Sequence, residues 1–154
     1  GKNTPGKGYR YAATLLEVSG NAFLANPEEL QREAFGNEVM VLVAADEAEL
    51  LAVLEHMEGQ LTGTVYSSAS GGDDAMYARI EPVLRRRVGR LLNDKMPTGV
   101  AVSPAMNHGG PFPATGHPGF TAVGIPTSIA RFTALHSYDG VRADRLPEFL
   151  RDKV

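Results

Sequence analysis

Apolar and polar positions follow two rhythms along this chain, and the switches between them outline its elements. Ala12 to Val18 is a short apolar run that predicts a strand. Pro27 to Ala34 reads as one or two helical turns. Asn26 stands at the N-cap, Pro27 at the first helical position, and Glu28 and Glu29 in the first turn, where carboxylates oppose the helix dipole. Phe35 and Gly36 close that segment. Val39 to Ala44 is apolar without alternation, the pattern of a strand covered on both faces in a parallel or mixed sheet.

The next helix is the most strongly marked. Asp46 caps it, Glu49 completes the spacing of a capping box, and Leu50, Val53, Leu54 and Met57 make one buried stripe. Gly59 stands where a left-handed C-terminal residue is wanted. Gln60 to Tyr66 alternates and predicts a strand, and Ser67 to Asp74 is a loop of Ser, Gly and Asp. A second helix is expected from about Asp74 to Leu92, with Met76, Ile80, Val83, Leu84, Val88 and Leu91 on one side and Pro82 as its break, its kink or the start of its regular part. Val100 to Val102 reads as a short buried strand, Ile125 to Phe132 as a brief helix, and Leu146 to Leu150 as an amphipathic end. Residues 1–11, rich in Gly and Lys and carrying Pro5, read as a loose segment ahead of a unit covering 12–154.

Strand, helix, strand, helix, strand argues for an α/β architecture, a mixed or parallel sheet flanked by helices. The strand count is low for a self-contained doubly wound domain, which suggests a part of something larger. At 154 residues the chain fits one domain with a real core, and 43% apolar and 21% charged residues suit a soluble globular protein. The net charge of −3 gives no pull toward nucleic acid, and no apolar run approaches the roughly 20 residues that span a bilayer, so neither nucleic acid nor membrane is expected as a partner. The chain has no cysteine, hence neither disulfides nor thiolate metal sites, and the cytoplasm is the expected compartment. It opens at Gly1 without an initiator Met, compatible with a trimmed tag, a processed terminus or an internal starting point.

Two places carry candidate chemistry. In Glu33-Ala34-Phe35-Gly36 a carboxylate that can accept from sugar hydroxyls stands beside a ring that can pack on a flat heterocycle; a surface Glu beside a core Phe is the plainer reading. The long loop from Ser103 to Gly119 holds four of the ten prolines and two histidines. Within it, Asn107 to Thr115 pairs two glycines, which allow close backbone approach, with two prolines that stiffen the far side. That suits the wall of a small-molecule pocket or a rigid corner. His108 and His117 lie on a loop without acidic neighbours and give no expectation of a metal. Arg85, Arg86, Arg87 and Arg90 form a basic helix surface, a solvated face or a phosphate contact. No Ser sits in a nucleophile elbow and no Gly-rich stretch matches a dinucleotide fingerprint.

The order of several short motifs adds a resemblance. Asn21 to Leu24, Leu30 to Gly36, Gly89 to Asn93, Pro97 to Val102, Ala105-Met106, His108 to Thr115 and Thr121 to Gly124 follow one another as in the aldehyde dehydrogenases. They resemble in particular the branch acting on α-ketoglutaric semialdehyde (2,5-dioxovalerate) and its fatty-aldehyde-oxidising relatives. The resemblance runs from about residue 12 to the C-terminus, and Pro97-Thr98-Gly99-Val100 with His108 to Thr115 is its specific part. It implies the C-terminal portion of a catalytic domain, using NAD or NADP as cofactor and an aldehyde as substrate. By resemblance Glu33 hydrogen-bonds the hydroxyls of the nicotinamide-side ribose, Phe35 packs near the nicotinamide ring, and Met106, Asn107 and His108 flank the aldehyde entrance.

In the family a cysteine thiolate attacks the aldehyde, hydride passes to the cofactor, and a Glu-activated water releases the acid. The resemblance places that Cys and the general base ahead of the matched region, so no catalytic residue is expected within this chain. It also implies a homo-oligomer. Asn37 departs from the family's Pro, Arg32 from a usual acid, and Phe120 to Gly124 from Arg-Thr-Ser-Val-Gly; beyond Ala134 the match is poor. Two other readings remain beside the dehydrogenase piece: a stand-alone, non-catalytic binding or oligomerisation module derived from that fold, and a phosphate-binding domain using Arg85 to Arg90. All site expectations share one geometric idea, that the Glu33 segment and the Gly-Pro corner wall a common cleft.

Overall fold

The computed structural model describes residues 4–103, 106–117, 121, 129 and 132–151. In chain order these form β1 (Thr14–Ser19), α1 (Gly20–Ala25), α2 (Pro27–Leu30), β2 (Glu38–Val43), α3 (Glu47–His56), β3 (Gln60–Val65), α4 (Asp74–Arg85) and β4 (Val88–Asn93). Short 3₁₀ turns at Ala143–Arg145 and Glu148–Leu150 follow. β1 pairs in parallel with β2, Thr14 opposite Glu38 through Ser19 opposite Val43, and β3 pairs in parallel with β4, Gln60 opposite Val88 through Val65 opposite Asn93. Parallel neighbours need a crossover. Here α1 and α2 supply it in the first pair and α4 in the second, while α3 joins the two units. The α/β class with parallel strands is as the sequence predicts.

Local signals explain the helices in part. Ser19 caps α1, its hydroxyl accepting from Ala22 N–H at 3.2 Å, a helix that the sequence pattern does not predict. α2 stops at Leu30, and Asn26, though at the N-cap position, makes no side-chain capping bond. The Asp46 carboxylate accepts from Glu49 N–H at 2.8 Å, and the Glu49 carboxylate reaches back to Ala45 N–H, one residue earlier than in a regular capping box. α3 ends because Met57 turns extended. Gly59 lacks the positive φ expected of it and serves close packing instead.

The expected long second helix is two elements. α4 ends at Arg85, and the N–H groups of Arg86 and Arg87 tighten its last turn onto Val83 and Leu84. Pro82 lies inside it and cannot donate to the carbonyl four residues back. From Val88 the chain pairs with β3, so tertiary hydrogen bonding overrides the helical spacing of Val88 and Leu91. The core residues are nevertheless those anticipated: Ile80, Leu84 and Val88 are buried, with Leu50, Leu54, Met76 and Leu91 among those packed around them. Phe23 on α1 and Val53 on α3, two helices in contact, are also buried.

Three further expectations are corrected. Val100–Val102 forms no strand, and Val102 is exposed. The basic cluster is not one helix surface, since Arg86 and Arg87 lie in a turn and Arg90 on β4. β2 is not covered on both faces. Leu15, Val39, Val41 and Val43, on alternate positions of paired strands and hence on one face, are 72%, 60%, 40% and 53% exposed. The expected helix over 125–132 falls largely outside the described residues.

α3 and α4 are also clasped by charge. The Arg79 guanidinium donates from Nε to Glu47 Oε1 and from Nη2 to Oε2, the latter at 2.7 Å. That hydrogen bond holds the Glu47 carboxyl below its ordinary range. A depressed folded-state value means the stabilisation is present above the ordinary carboxylate range and lost as pH falls through the lower, folded value. Glu47→Gln is expected to lower the urea midpoint at neutral pH, with the difference from the parent shrinking in acid. Urea titrations across that range check it.

Candidate functional site

Beyond α2 the chain does not continue as a helix. Residues 31–37 are irregular, and this is where the predicted cofactor residues lie. Glu33 is exposed, and Phe35 is 93% exposed, so its ring belongs to no core and the plainer reading of it does not hold. Two positions apart on this irregular path, the two residues line different hollows. Glu33 lines a cavity of about 640 Å³ together with Gln31, Glu58, Gln60, Leu61, Pro113 and Ala114. Phe35 lines one of about 230 Å³ with Tyr11, Thr14 and Asn37. The acid and the Gly-Pro corner thus face one groove, and the ring faces another.

The corner is built by backbone contact. A Cβ on Gly59 would stand 2.0 Å from Pro111 O, one on Gly89 1.5 Å from Gly109 O, and one on Gly110 2.1 Å from Gln60 O. Three glycines therefore let the loop lie directly on the starts of β3 and β4, where no side chain fits between. Gly59 N–H donates to Phe112 O at 3.2 Å across the same contact. Inside the loop, Thr115 Oγ1 donates to Gly110 O at 2.7 Å, and Ala114 N–H to Pro111 O at 2.9 Å. The peptide between Phe112 and Pro113 is cis.

The three predicted substrate-side residues are placed differently from one another. Asn107 Oδ1 accepts from Gly109 N–H at 3.0 Å and from Thr121 Oγ1 at 2.6 Å, so its oxygen frames the loop. Met106 is half-buried. His108 is exposed and lines a third cavity, about 220 Å³, with Leu61, Thr62, Arg90 and Pro97. Leu61 borders both this cavity and the Glu33 groove, making them neighbours.

The chain is 45% identical, over 138 residues, to alpha-ketoglutaric semialdehyde dehydrogenase 2 of Azospirillum brasilense. It is 39% identical over the same length to the alpha-ketoglutaric semialdehyde dehydrogenase of Acinetobacter baylyi. Both matches take in 90% of this chain. The chain is a relative of the aldehyde dehydrogenases. It spans about a quarter, 26%, of the length of these two enzymes. No protein-family model matches it.

The arginines of this chain hold local structure. Arg85 pairs with Glu81 at 2.9 Å, Arg87 donates to Glu55 O, and Arg90 donates to Gly99 O at 3.3 Å. Those bonds weigh against a phosphate surface. The residue that sequence reasoning missed is Gln31, whose amide ties the Glu33 segment to the turn before β3. No spacing signal marks it, because its partners are backbone groups 25 and 27 residues away.

Gly110→Ala is expected to destabilise the chain by about 2–4 kcal/mol, because the colliding atom is a strand carbonyl that cannot move aside. Gly116→Ala, with open space around it, should change stability by less than about 0.5 kcal/mol. Denaturant midpoints of the two variants make the comparison.

Proposed function

We propose that residues 12–154 form the C-terminal portion of the catalytic domain of an NAD(P)-dependent aldehyde dehydrogenase. Its substrate would be α-ketoglutaric semialdehyde or an aldehyde of that kind, oxidised to the carboxylate. The observation that carries the reading is the groove shared by Glu33 and Pro113-Ala114, in a chain whose relatives are named for that oxidation.

Glu33 fits a ribose. Its carboxylate is exposed on the groove, and a carboxylate accepts charge-assisted bonds from two neighbouring hydroxyls. Phe35, two residues on, offers an uncovered ring, with Tyr11 beside its own hollow, which suits packing on a flat heterocycle. The cofactor, when bound, accepts a hydride from the substrate. Correct orientation of reacting groups contributes orders of magnitude to such a transfer, and the stiff corner against β3 and β4 supplies a wall that does not yield. Asn107 holds that corner in shape, while Met106 and His108 are the substrate-side contacts.

The chain has no cysteine, so in this reading the thiolate comes from sequence outside it, and by resemblance the general base does too. In this reading the protein is cytoplasmic and self-associates. The full-length product of the gene is expected to reduce NAD(P)+ with α-ketoglutaric semialdehyde, and the pure 154-residue chain is not. Removing a nucleophile costs on the order of 10⁶ in turnover. Absorbance of the reduced cofactor follows both. Robust turnover by the short chain overturns the reading, and so does a full-length product that binds but never oxidises aldehydes, the outcome favouring a non-catalytic module.

A further inference from the structure

Gln31 stands at the root of the segment carrying Glu33 and Phe35. Its Nε2 donates to Pro27 O at 3.0 Å and to His56 O at 3.0 Å. Its Oε1 accepts from Glu58 N–H at 2.7 Å. A primary amide offers two donors and two lone pairs, and three of these four places are filled, all by backbone. The partners come from three places: the start of α2, the last residue of α3 and the turn into β3. The residue after Glu58 is Gly59, which donates to Phe112 O and sits against Pro111. A continuous bonded path therefore joins the Glu33 segment to the Gly-Pro corner, and its ends face each other across the groove that Gln31 also lines.

At its far end the segment is tied through Asn37, whose Nδ2 donates to Tyr11 O at 2.8 Å and whose carbonyl accepts from Thr14 N–H at 3.0 Å, so Gln31 is the tie on the side of the corner. α2 is four residues long and buries none of them, so apolar packing does not anchor it. The one ion pair nearby, Arg32 with Glu29 at 2.9 Å, is exposed and internal to the segment. Surface pairs of that kind contribute little.

We propose that Gln31 is a positioning residue for Glu33. Its amide fixes the segment bearing the carboxylate to the turn bearing the corner, and so sets the width of the groove that receives the ribose hydroxyls. The ordering cost is met during folding and not at binding. The inference rests on the function proposed above for Glu33.

Two measurements test it separately from that function. The chain contains no cysteine, so Ala34→Cys and Phe112→Cys give two unique spin-label sites on the two sides. Their pulsed-EPR distance distribution is expected to be narrow in the parent and broadened or shifted in Gln31→Met. Gln31→Glu, which keeps the bond from Glu58 N–H and loses both donors, should fall between. An unchanged distribution in both variants overturns the proposal. In the full-length gene product, Gln31→Met is expected to raise KM for the dinucleotide about three- to tenfold, with kcat changed by less than about twofold. Lower kcat and melting temperature with KM unchanged would mark a merely structural tie and also overturn it. Glu33→Gln serves as the reference. If it leaves the dinucleotide KM unaltered, the function assigned to Glu33 fails, whereas the spin-label distances still decide whether Gln31 sets the groove.

Discussion

The described structure depends on one stretch where backbone lies on backbone. Around Gly59, Gly89 and Gly110, carbonyl groups come nearer to Cα positions than any side chain would permit. This contact seats a loop far along the chain against the first residues of two paired strands. It thereby determines where Pro113 and Ala114 stand, which residues the groove has as neighbours, and where His108 opens to solvent. Side-chain packing alone would place the loop with less definition, since rotamers adapt while carbonyls in a bonded strand do not.

From that contact the arrangement builds outward with few buried atoms. The core proper is Ile80, Leu84 and Val88 with the helix residues around them, and a smaller apolar contact joins α1 to α3. Polar ties supply much of the remaining definition: the Arg79–Glu47 clasp, the Gln31 amide and the Asn107 bridge to Thr121. A segment organised this way keeps its candidate site at the junction of elements, where the precision of each wall comes from a different kind of bond.

Much of the architecture was legible from local pattern. Period-two runs gave β3, the apolar run gave β2, and Asp46 marked the start of α3 because a short acceptor side chain before an amphipathic stretch has few other uses. What failed did so for tertiary reasons. Val88 and Leu91 continue the helical stripe of α4 and reach the same core, yet they arrive on a strand, because pairing with β3 outweighs spacing. Gly59 does not adopt the left-handed conformation its place after a helix predicts; what requires glycine there is the approach of Pro111, more than fifty positions away. In the site, Glu33 and the corner were readable as motifs, but that Phe35 turns to a separate hollow follows from the irregular path of 31–37, which no periodicity encodes.

The bare face of β1 and β2 has a consequence for how such a chain lives among others. Residues 38–44 combine strong β-formers with a single charge and contain neither Pro nor Gly, the composition of segments that zip together between molecules. Among the described residues each of these two strands also pairs with only one neighbour, leaving peptide groups along its outer side available to foreign strands. Wherever this surface is presented without a covering layer, holdase chaperones and self-assembly compete for it. The lifetime of the exposed form in a crowded solution is then governed by that competition more than by the strength of its small core.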